Sequence, residues 1–267
     1  MRLDDKVAMI SGGGTGIGAA VARTFAREGA MVVVTGRRAE PIQAVAEEVG
    51  GLAVPGDASE PVHAADAVRA ALGRFGRLDI VVANAGIGLG GSAGDVDDER
   101  WRRTIEVNLT GPLLLVRAGL PAMLEQGTGS IVLVSSVSGL VSDSDSAAYS
   151  SSKAALLGLA RSISVDYGPR GIRANALCPG WVVTPMGDEA MDELAERRGI
   201  TREDAYRLAT ANVPLRRPAT AEEIASCCLF LASDESSIVT GTMLVADGGG
   251  LAVDVASLVF DPTIEQA

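Results

Sequence analysis

Residues 7–18 constrain the fold more than any other stretch, since they read VAMISGGGTGIG near the start of the sequence. An apolar run of strand length leads into clustered glycines, and Ile17, Val21 and Phe25 follow at four-residue spacing. The pattern predicts a buried strand, a tight turn and an amphipathic helix. A turn without side chains leaves the N–H groups at the helix start open to a phosphate. The same glycines also suit a plain chain reversal, so the rest of the sequence has to decide.

Length and charge bound the class of protein. The chain has 267 residues, of which 47% are hydrophobic, and no repeat or linker divides it, so we predict one domain over residues 1–267. A net charge of −11 disfavours nucleic acid and anionic membranes as partners, because like charges repel. The first residues are charged, unlike a signal peptide, and we find no apolar run of about 18 residues that would span a bilayer. We therefore expect a soluble, cytoplasmic protein with a small-molecule ligand.

The cysteines and the histidine exclude two kinds of site. Cys178, Cys227 and Cys228 are odd in number and lack metal-ligand spacing, so we expect reduced core residues and no metal site. His63, the only histidine, lies in a polar helix start that we expect to be far from the other motifs. A hydrolase with a Ser-His-Asp triad is therefore excluded.

Strand and helix patterns alternate along the chain. The predicted strands are residues 7–10, 31–34, 52–54, 78–83, 130–134, 172–177 and 243–245. After the first helix, the predicted helices are residues 40–49, 61–75, 99–125, 147–167 and 221–231, with a polar helical insert between 188 and 210. Uniformly apolar strands separated by helices predict an α/β fold, a doubly wound Rossmann-type parallel sheet of seven strands with helices on both faces. Such a sheet binds its ligand beyond the carboxyl ends of the strands.

The end of the second strand bears on the choice of dinucleotide. In this topology an acidic residue there binds the ribose hydroxyls, whereas a basic one accepts the 2′-phosphate of NADP. Here Gly36 is followed by Arg37 and Arg38. We predict NADP(H) as the preferred cofactor and NAD(H) as the alternative; both arginines would otherwise only solvate a loop or cap the next helix. Asp57, after the third strand, is a candidate acceptor for the adenine amino group or an ordinary turn residue.

A second group of residues suits acid–base chemistry. Tyr149 and Lys153 are four residues apart in a helical stretch, so their side chains share one face, and a nearby ammonium would lower the pKa of a phenol. Such pairs also occur on plain exposed helices. Ser136 lies just past the fifth strand, where a hydroxyl could polarise a carbonyl beside the phenol. Asn108 lies in mid-helix, where Asn is disfavoured, so it either bonds a specific partner or marks a local irregularity.

These residues together resemble the short-chain dehydrogenase/reductase family over about residues 3–250. The matching motifs are the glycine loop from Ser11 to Gly18, Asn84-Ala85-Gly86, Asn108, Ser136, Tyr149 with Lys153, and Pro179-Gly180 followed by Thr184. The resemblance implies a Rossmann-type fold and reversible hydride transfer between NAD(P) and an alcohol or carbonyl. Two departures are small: Ser11 stands where the family usually has Thr, and Ala83 where a second Asn often precedes Asn-Ala-Gly.

The resemblance also implies roles. Tyr149 is the general acid/base, Lys153 lowers its pKa and binds the nicotinamide ribose, Ser136 orients the substrate oxygen, and Asn108 holds a water in a proton relay. Residues 3–110 form mainly the cofactor half and residues 111–250 the catalytic and substrate half. The full predicted cofactor set is Gly12, Gly14, Thr15, Gly16, Ile17, Gly18, Gly36, Arg37, Arg38, Asp57, Ala58, Asn84, Ala85, Gly86, Tyr149, Lys153, Pro179, Gly180, Val182 and Thr184, the last toward the carboxamide.

Three variable segments of such proteins contact the substrate, and here they are mostly apolar. The predicted contacts are Ser136, Leu140, Tyr149, Trp181 and Met186, although Trp181 could equally anchor the core. They favour a lipophilic carbonyl or alcohol over a simple sugar. Because the predicted NADP(H) preference leans toward reduction, we predict an NADPH-dependent reductase of a moderately lipophilic ketone. The alternatives are a 3-oxoacyl thioester reductase, an NAD-dependent alcohol, diol or steroid dehydrogenase, and a non-catalytic dinucleotide sensor.

The remaining expectations concern the insert and the assembly. The charged residues 187–212 are predicted to form a lid over the substrate, or else a plain surface helix. Small residues on the helix at 147–167 permit close helix approach, and relatives pair this helix, so we expect a homotetramer. The tail, residues 251–267, is apolar up to residue 260 and is expected to pack on a neighbouring subunit or near the pocket.

Overall fold

The computed structural model describes residues 1–260. Within them lie nine strands: β1 (Val7–Ser11), β2 (Met31–Gly36), β3 (Leu52–Pro55), β4 (Ile80–Ala83), β5 (Gly129–Val134), β6 (Ile172–Pro179), β7 (Val182–Val183), β8 (Ala219–Thr220) and β9 (Met243–Ala246). Seven of these form one parallel sheet in the order β3-β2-β1-β4-β5-β6-β9, and β7 pairs with β8. The predicted α/β fold with a seven-stranded, doubly wound parallel sheet is confirmed.

Helices cover both faces of this sheet. They are α1 (Gly16–Arg27), α2 (Ala39–Val49), α3 (Pro61–Phe75), α4 (Asp98–Ile105), α5 (Gly111–Gln126), α6 (Ala147–Tyr167), α7 (Pro185–Arg198), α8 (Arg202–Ala209) and α9 (Ala221–Ala232). Residues of α1, α2 and α9 pack into one apolar core, and residues of α3, α5 and α6 pack into the other.

Strand β1 shows why the strands read as continuous apolar runs. Its side chains alternate, so Ala8 and Ile10 enter the first core while Val7 and Met9 enter the second. All of its residues are buried. A strand covered on both faces needs apolar residues at every position, which erases the two-residue period of a half-exposed strand.

Two regions differ from the sequence prediction. The helical stretch predicted at 99–125 is interrupted by a π-helical turn, Glu106–Thr110, between α4 and α5. The insert is two packed helices, because Gly199 ends α7 with a φ of +65° and the Thr201 hydroxyl caps α8 by accepting from the Asp204 N–H. A small apolar core holds the two helices together.

Histidine and cysteine also have defined places. The expectation that His63 lies far from the other motifs is wrong: it is buried and lines a small cavity with Ser11 and Thr35, because α3 packs beneath β1 and β2. All three cysteines are free, and Cys178 and Cys228 are buried. Within residues 1–260 no group of three or more His, Cys, Asp or Glu side chains could hold a metal ion.

Within residues 1–260 one helical stretch, Asp98–Gln126, meets the length and hydropathy criteria for a membrane span. An 18-residue window inside it has a mean hydropathy of 1.3, and 61% of that window is buried inside the molecule. The second half of this stretch, α5, packs against β4, β5 and α3. The apolar composition is thus accounted for by the core of the sheet.

Candidate active site

The turn between β1 and α1 forms a cradle without side chains. Gly12 and Gly16 have φ values of +66° and +53°, which glycine adopts without strain. A Cβ on Gly18 would lie 2.2 Å from the carbonyl oxygen of Gly12. Thr15 makes no side-chain cap, and the first turn of α1 contains no acidic residue. The helix N-terminus therefore keeps free N–H groups and its positive dipole end, an arrangement that fits a pyrophosphate.

A hydrogen-bond joint holds this turn against the loop after β4. The Ser11 hydroxyl accepts from the N–H groups of Asn84 and Ala85, both at 3.1 Å. The Asn84 side chain donates to the carbonyls of Ser11 and Gly12 at 3.0 and 3.3 Å. The departure from Thr at Ser11 therefore keeps the hydroxyl that the joint uses. The Asn84 side chain therefore has a structural role, because it holds the two loops together.

Arg37 and Arg38 extend beyond the end of β2. Both are exposed, and neither guanidinium makes a hydrogen bond or ion pair with another described residue. Arg38 is the N-cap residue of α2 but makes no side-chain cap, so the helix-capping alternative is wrong for it. Two guanidinium groups thus project at the ligand edge of the sheet, where Gly36 supplies no carboxylate.

Asp57 already has partners for both carboxylate oxygens. One oxygen accepts from the N–H and hydroxyl of Ser59, at 2.9 and 2.7 Å, and the other accepts from Arg103 at 2.5 Å. Burial alone would raise the pKa of Asp57, but these bonds outweigh it and lower the pKa to about 2. Arg103 lies on α4, and no local sequence signal indicated it. Contact of Asp57 with an adenine stays a prediction.

Lys153 is buried beside Tyr149 on α6. Its ammonium donates to the Val134 carbonyl at 2.9 Å and lies 5.6 Å from the centroid of the Tyr149 ring. Burial lowers the pKa of Lys153 to about 8. The Ser135 hydroxyl donates to the Lys153 carbonyl at 2.7 Å, which ties α6 to the end of β5. The predicted pair therefore meets at the carboxyl edge of the sheet.

The pKa of Tyr149 departs from the expected direction. Burial raises it, a hydrogen bond with Ser136 opposes that rise, and the charge of Asp143 adds to it. We expected Lys153 to lower this pKa. In this structure the pKa of Tyr149 is raised instead, because burial of the phenol outweighs the hydrogen bond with Ser136. The Lys153 ammonium lies over the ring of Tyr149.

Asn108 is buried in the π-helical turn, and both the oxygen and the nitrogen of its side-chain amide have hydrogen-bond partners. The side-chain oxygen accepts from the Ile87 N–H at 2.8 Å, and the nitrogen donates to the Ile87 carbonyl at 2.9 Å and to Ser152 at 3.1 Å. Ser152 donates in turn to the Tyr149 carbonyl at 2.7 Å. Asn108 thus links the loop after β4 to α6. Its part in holding a water stays a prediction.

The segment after β6 faces the glycine turn. The Thr184 hydroxyl caps α7 by accepting from the Gly187 N–H at 3.1 Å, and a Cβ on Gly16 would lie 3.2 Å from the Thr184 methyl group. Trp181 is 42% exposed, so its alternative as a core anchor is wrong. Leu140 and Met186 are also exposed at 37% and 45%.

The structure thus brings the two glycine-containing loops, Ser136, Tyr149 and Lys153 to the same edge of one sheet. A family model described as "Enoyl-(Acyl carrier protein) reductase" matches residues 12–250. The chain belongs to the short-chain dehydrogenase/reductase family. As a member it is an NAD(P)-dependent oxidoreductase that acts on alcohol and carbonyl groups.

Individual relatives cover almost the whole chain. Protein MoaE of Klebsiella aerogenes is 41% identical over 96% of this chain and 99% of its own length. Trans-4-hydroxycyclohexanecarboxylate dehydrogenase of Sinomonas cyclohexanicum is 40% identical over 93% of each chain. The crystal structure of levodione reductase superposes with a TM-score of 0.90 and 32% identity, covering 95% of this chain and all of that one (100%).

The residues of this site fit a dinucleotide. The side-chain-free turn with its uncapped helix would hold the pyrophosphate, and the loop at 84–86 closes the cradle from the side of β4. When bound, the nicotinamide supplies or accepts the hydride. The chain supplies the hydroxyl and amine groups of Ser136, Tyr149 and Lys153.

The buried ammonium of Lys153 predicts a pH dependence of stability. Its pKa of about 8 in the folded chain lies below the ordinary 10.5, so between these values the unfolded chain holds a proton that the folded chain has released. Stability rises with pH wherever the unfolded state binds more protons. From pH 7 to 9.5 the wild type should gain about 2 kcal/mol relative to Lys153→Met, measured by urea unfolding. Lys6→Met is the control, and a pH-independent difference between wild type and Lys153→Met would contradict the buried ammonium.

Proposed function

We propose that the protein is an NADPH-dependent reductase of moderately lipophilic ketones. The observation that carries the proposal is that Tyr149, Ser136 and buried Lys153 lie at the sheet edge that also carries the glycine turn and two exposed arginines. A dinucleotide sensor would need the turn but not the acid–base group. The name of the Sinomonas relative favours a second candidate, the dehydrogenation of a secondary alcohol.

Tyr149 is proposed to act as the proton donor. Its raised pKa keeps the phenol protonated at neutral pH, which suits donation to the oxygen of a ketone during reduction. Ser136 would donate a hydrogen bond to the same oxygen. Lys153 would contact the ribose of the cofactor and stabilise the phenolate that is left after proton transfer.

Arg37 and Arg38 are proposed to bind the 2′-phosphate that distinguishes NADP from NAD. Neither guanidinium is held by another described residue, so binding a phosphate would break no existing ion pair. Charge-assisted, bidentate contacts of arginine to phosphate are among the stronger hydrogen bonds in proteins. A preference for NADPH in turn favours the reductive direction.

The lining of the proposed substrate site supports a lipophilic ligand. Leu140, Trp181 and Met186 are all exposed on the segments that follow β5 and β6. Covering exposed apolar side chains with a ligand is favourable by about 25 cal/mol per Å² of apolar surface removed from water. The two-helix insert after Thr184 is proposed as the lid.

We further propose a homotetramer in the cytoplasm. Leu113 on α5 and Val165 on α6 are exposed apolar residues, and so are Met243 and Val245 of the edge strand β9. The described part of the tail also exposes apolar side chains, which a neighbouring subunit would cover; residues 261–267 lie outside the described residues. Sedimentation velocity that returns a monomer would contradict this assembly.

Replacement of the phenol tests the catalytic assignment. Tyr149→Phe should lower kcat for ketone reduction about 10²–10⁴-fold, because it removes the proton donor while leaving the ring in place. NADPH binding, followed by fluorescence titration, should change little. Tyr167→Phe, at the far end of α6, is the matched control. Turnover by Tyr149→Phe equal to that of the wild type would refute the assignment.

Removal of one guanidinium tests the cofactor preference. Arg37→Ala should lower kcat/KM for NADPH about tenfold or more and change that for NADH by less than about twofold, because only NADPH carries the phosphate. Arg170→Ala removes an exposed arginine at the opposite edge of the sheet and should alter neither value. A wild-type preference for NADH, or an equal loss with both cofactors, would argue against the phosphate contact.

A further inference from the structure

The loop between Ser136 and Tyr149 carries a carboxylate that the proposed reaction does not use. Asp143 accepts a hydrogen bond from the Ser138 hydroxyl at 2.7 Å. The N–H of Ser138 donates to the Ser136 hydroxyl oxygen at 3.1 Å. The carboxylate is thus joined, through one buried serine, to the hydroxyl that is proposed to bind the substrate oxygen.

No cation compensates this charge within residues 1–260. Asp143 is exposed and takes part in no ion pair there, and its described side-chain bond is the one from neutral Ser138. The ammonium of the site, on Lys153, is buried and donates to the Val134 carbonyl. The charge of Asp143 nevertheless acts on the phenol, whose pKa it helps to raise. A substrate at Tyr149 would therefore lie in the field of an uncompensated anion.

The loop that carries Asp143 is held in place by its backbone. Gly91, in the loop after β4, donates its N–H to the Asp145 carbonyl at 2.8 Å and accepts from the Ala147 N–H at 3.2 Å. The Ser146 hydroxyl donates to the Asp143 carbonyl at 3.1 Å. These bonds fix the position of the carboxylate relative to the start of α6, two residues before Tyr149.

Apart from Ser136 and Tyr149, the side chains that are proposed to contact the substrate are apolar. Leu140 precedes Asp143 on the same loop, and Trp181 and Met186 lie on the segment after β6. None of these three side chains carries a charge, so an anionic substrate group near Asp143 would meet repulsion without a compensating partner among them. A neutral group that donates a hydrogen bond meets an acceptor.

We propose that Asp143 is a specificity-determining residue that rejects substrates with a carboxylate near the reacting carbonyl in favour of neutral ones. The proposal rests on the proposed ketone reduction at Tyr149. It distinguishes this chain from the Sinomonas relative, whose name specifies a carboxylate substrate.

A pair of ketones that share one ring tests the charge selection. The probes are 4-oxocyclohexanecarboxylate and its methyl ester, which differ by one negative charge and one methyl group; the methyl group is the same with every variant, so a change in their ratio on substitution of Asp143 reports the charge. With wild-type enzyme and NADPH, kcat/KM for the ester should exceed that for the acid by about tenfold or more, as expected for like charges separated by a few ångströms near a protein surface. The same ratio should appear in dissociation constants measured by calorimetry on the full chain saturated with NADP⁺, which has no hydride to transfer to a ketone.

The variants isolate the carboxylate. Asp143→Asn keeps an oxygen that can accept from Ser138 but removes the charge, so the preference for the ester should fall about tenfold while the melting temperature stays the same. Asp145→Asn is the matched control: it removes a neighbouring exposed charge at a position with a φ of +54°, which Asn tolerates. That variant should keep the wild-type preference.

Two outcomes separate the proposals. If acid and ester bind and react equally well in the wild type, or if Asp143→Asn leaves their ratio unchanged, the role of Asp143 is refuted and the reductase is untouched. If no ketone of a wider panel supports NADPH oxidation, the proposed function fails, while the calorimetric ratio of acid to ester still decides the charge selection.

Discussion

The contact between the β1–α1 turn and the loop after β4 is the constraint on which the site depends. Gly18 approaches the Gly12 carbonyl so closely that no Cβ fits between them, and Ser11 and Asn84 exchange hydrogen bonds across the gap between the two neighbouring strands. The joint fixes the direction of α1 relative to the sheet. It therefore determines where the free N–H groups of α1 point, and with them the place that an anion can occupy.

The buried ammonium of Lys153 is the second feature that shapes the site. Burial of a charge costs free energy, and here one carbonyl and the face of an aromatic ring compensate only part of that cost, as the lowered pKa shows. Strongly shifted groups in a cleft cluster at functional sites, because catalysis needs pKa values away from their ordinary range. The neighbouring phenol is shifted in the opposite sense, so the proton is held by Tyr149 until a substrate or cofactor changes the balance.

Polar side chains connect elements that are distant in sequence. Asn108 holds Ile87 and Ser152 together, and the π-helical turn places its amide between the loop after β4 and α6. Arg103, one turn earlier on the same stretch, holds Asp57 after β3. A single helical stretch therefore contacts both the proposed adenine side and the acid–base side. This explains why an asparagine disfavoured in ordinary helices stands there.

Much of the fold could be predicted because its signals are local. Apolar strands separated by helices determined the parallel sheet, the glycines at 12, 16 and 18 determined the turn, and the spacing of Tyr149 and Lys153 placed both side chains on one helix face. Backbone sterics and helical periodicity act over a few residues, so the sequence alone carried this information. Strand ends and the break between α7 and α8 were less well predicted, because capping competes with weak helix propensity there.

Contacts across long sequence separations were decided only by the tertiary structure. The bond from Arg103 to Asp57 spans 46 residues, and the burial of Lys153 depends on how α6 packs against the end of β5. The direction of the Tyr149 pKa shift follows from burial of the phenol itself, which no spacing in the sequence encodes. The sequence determined which groups reach the edge of the sheet. Packing decided their charges and their partners. The reason is that desolvation and hydrogen bonding depend on neighbours that come together only when the chain folds.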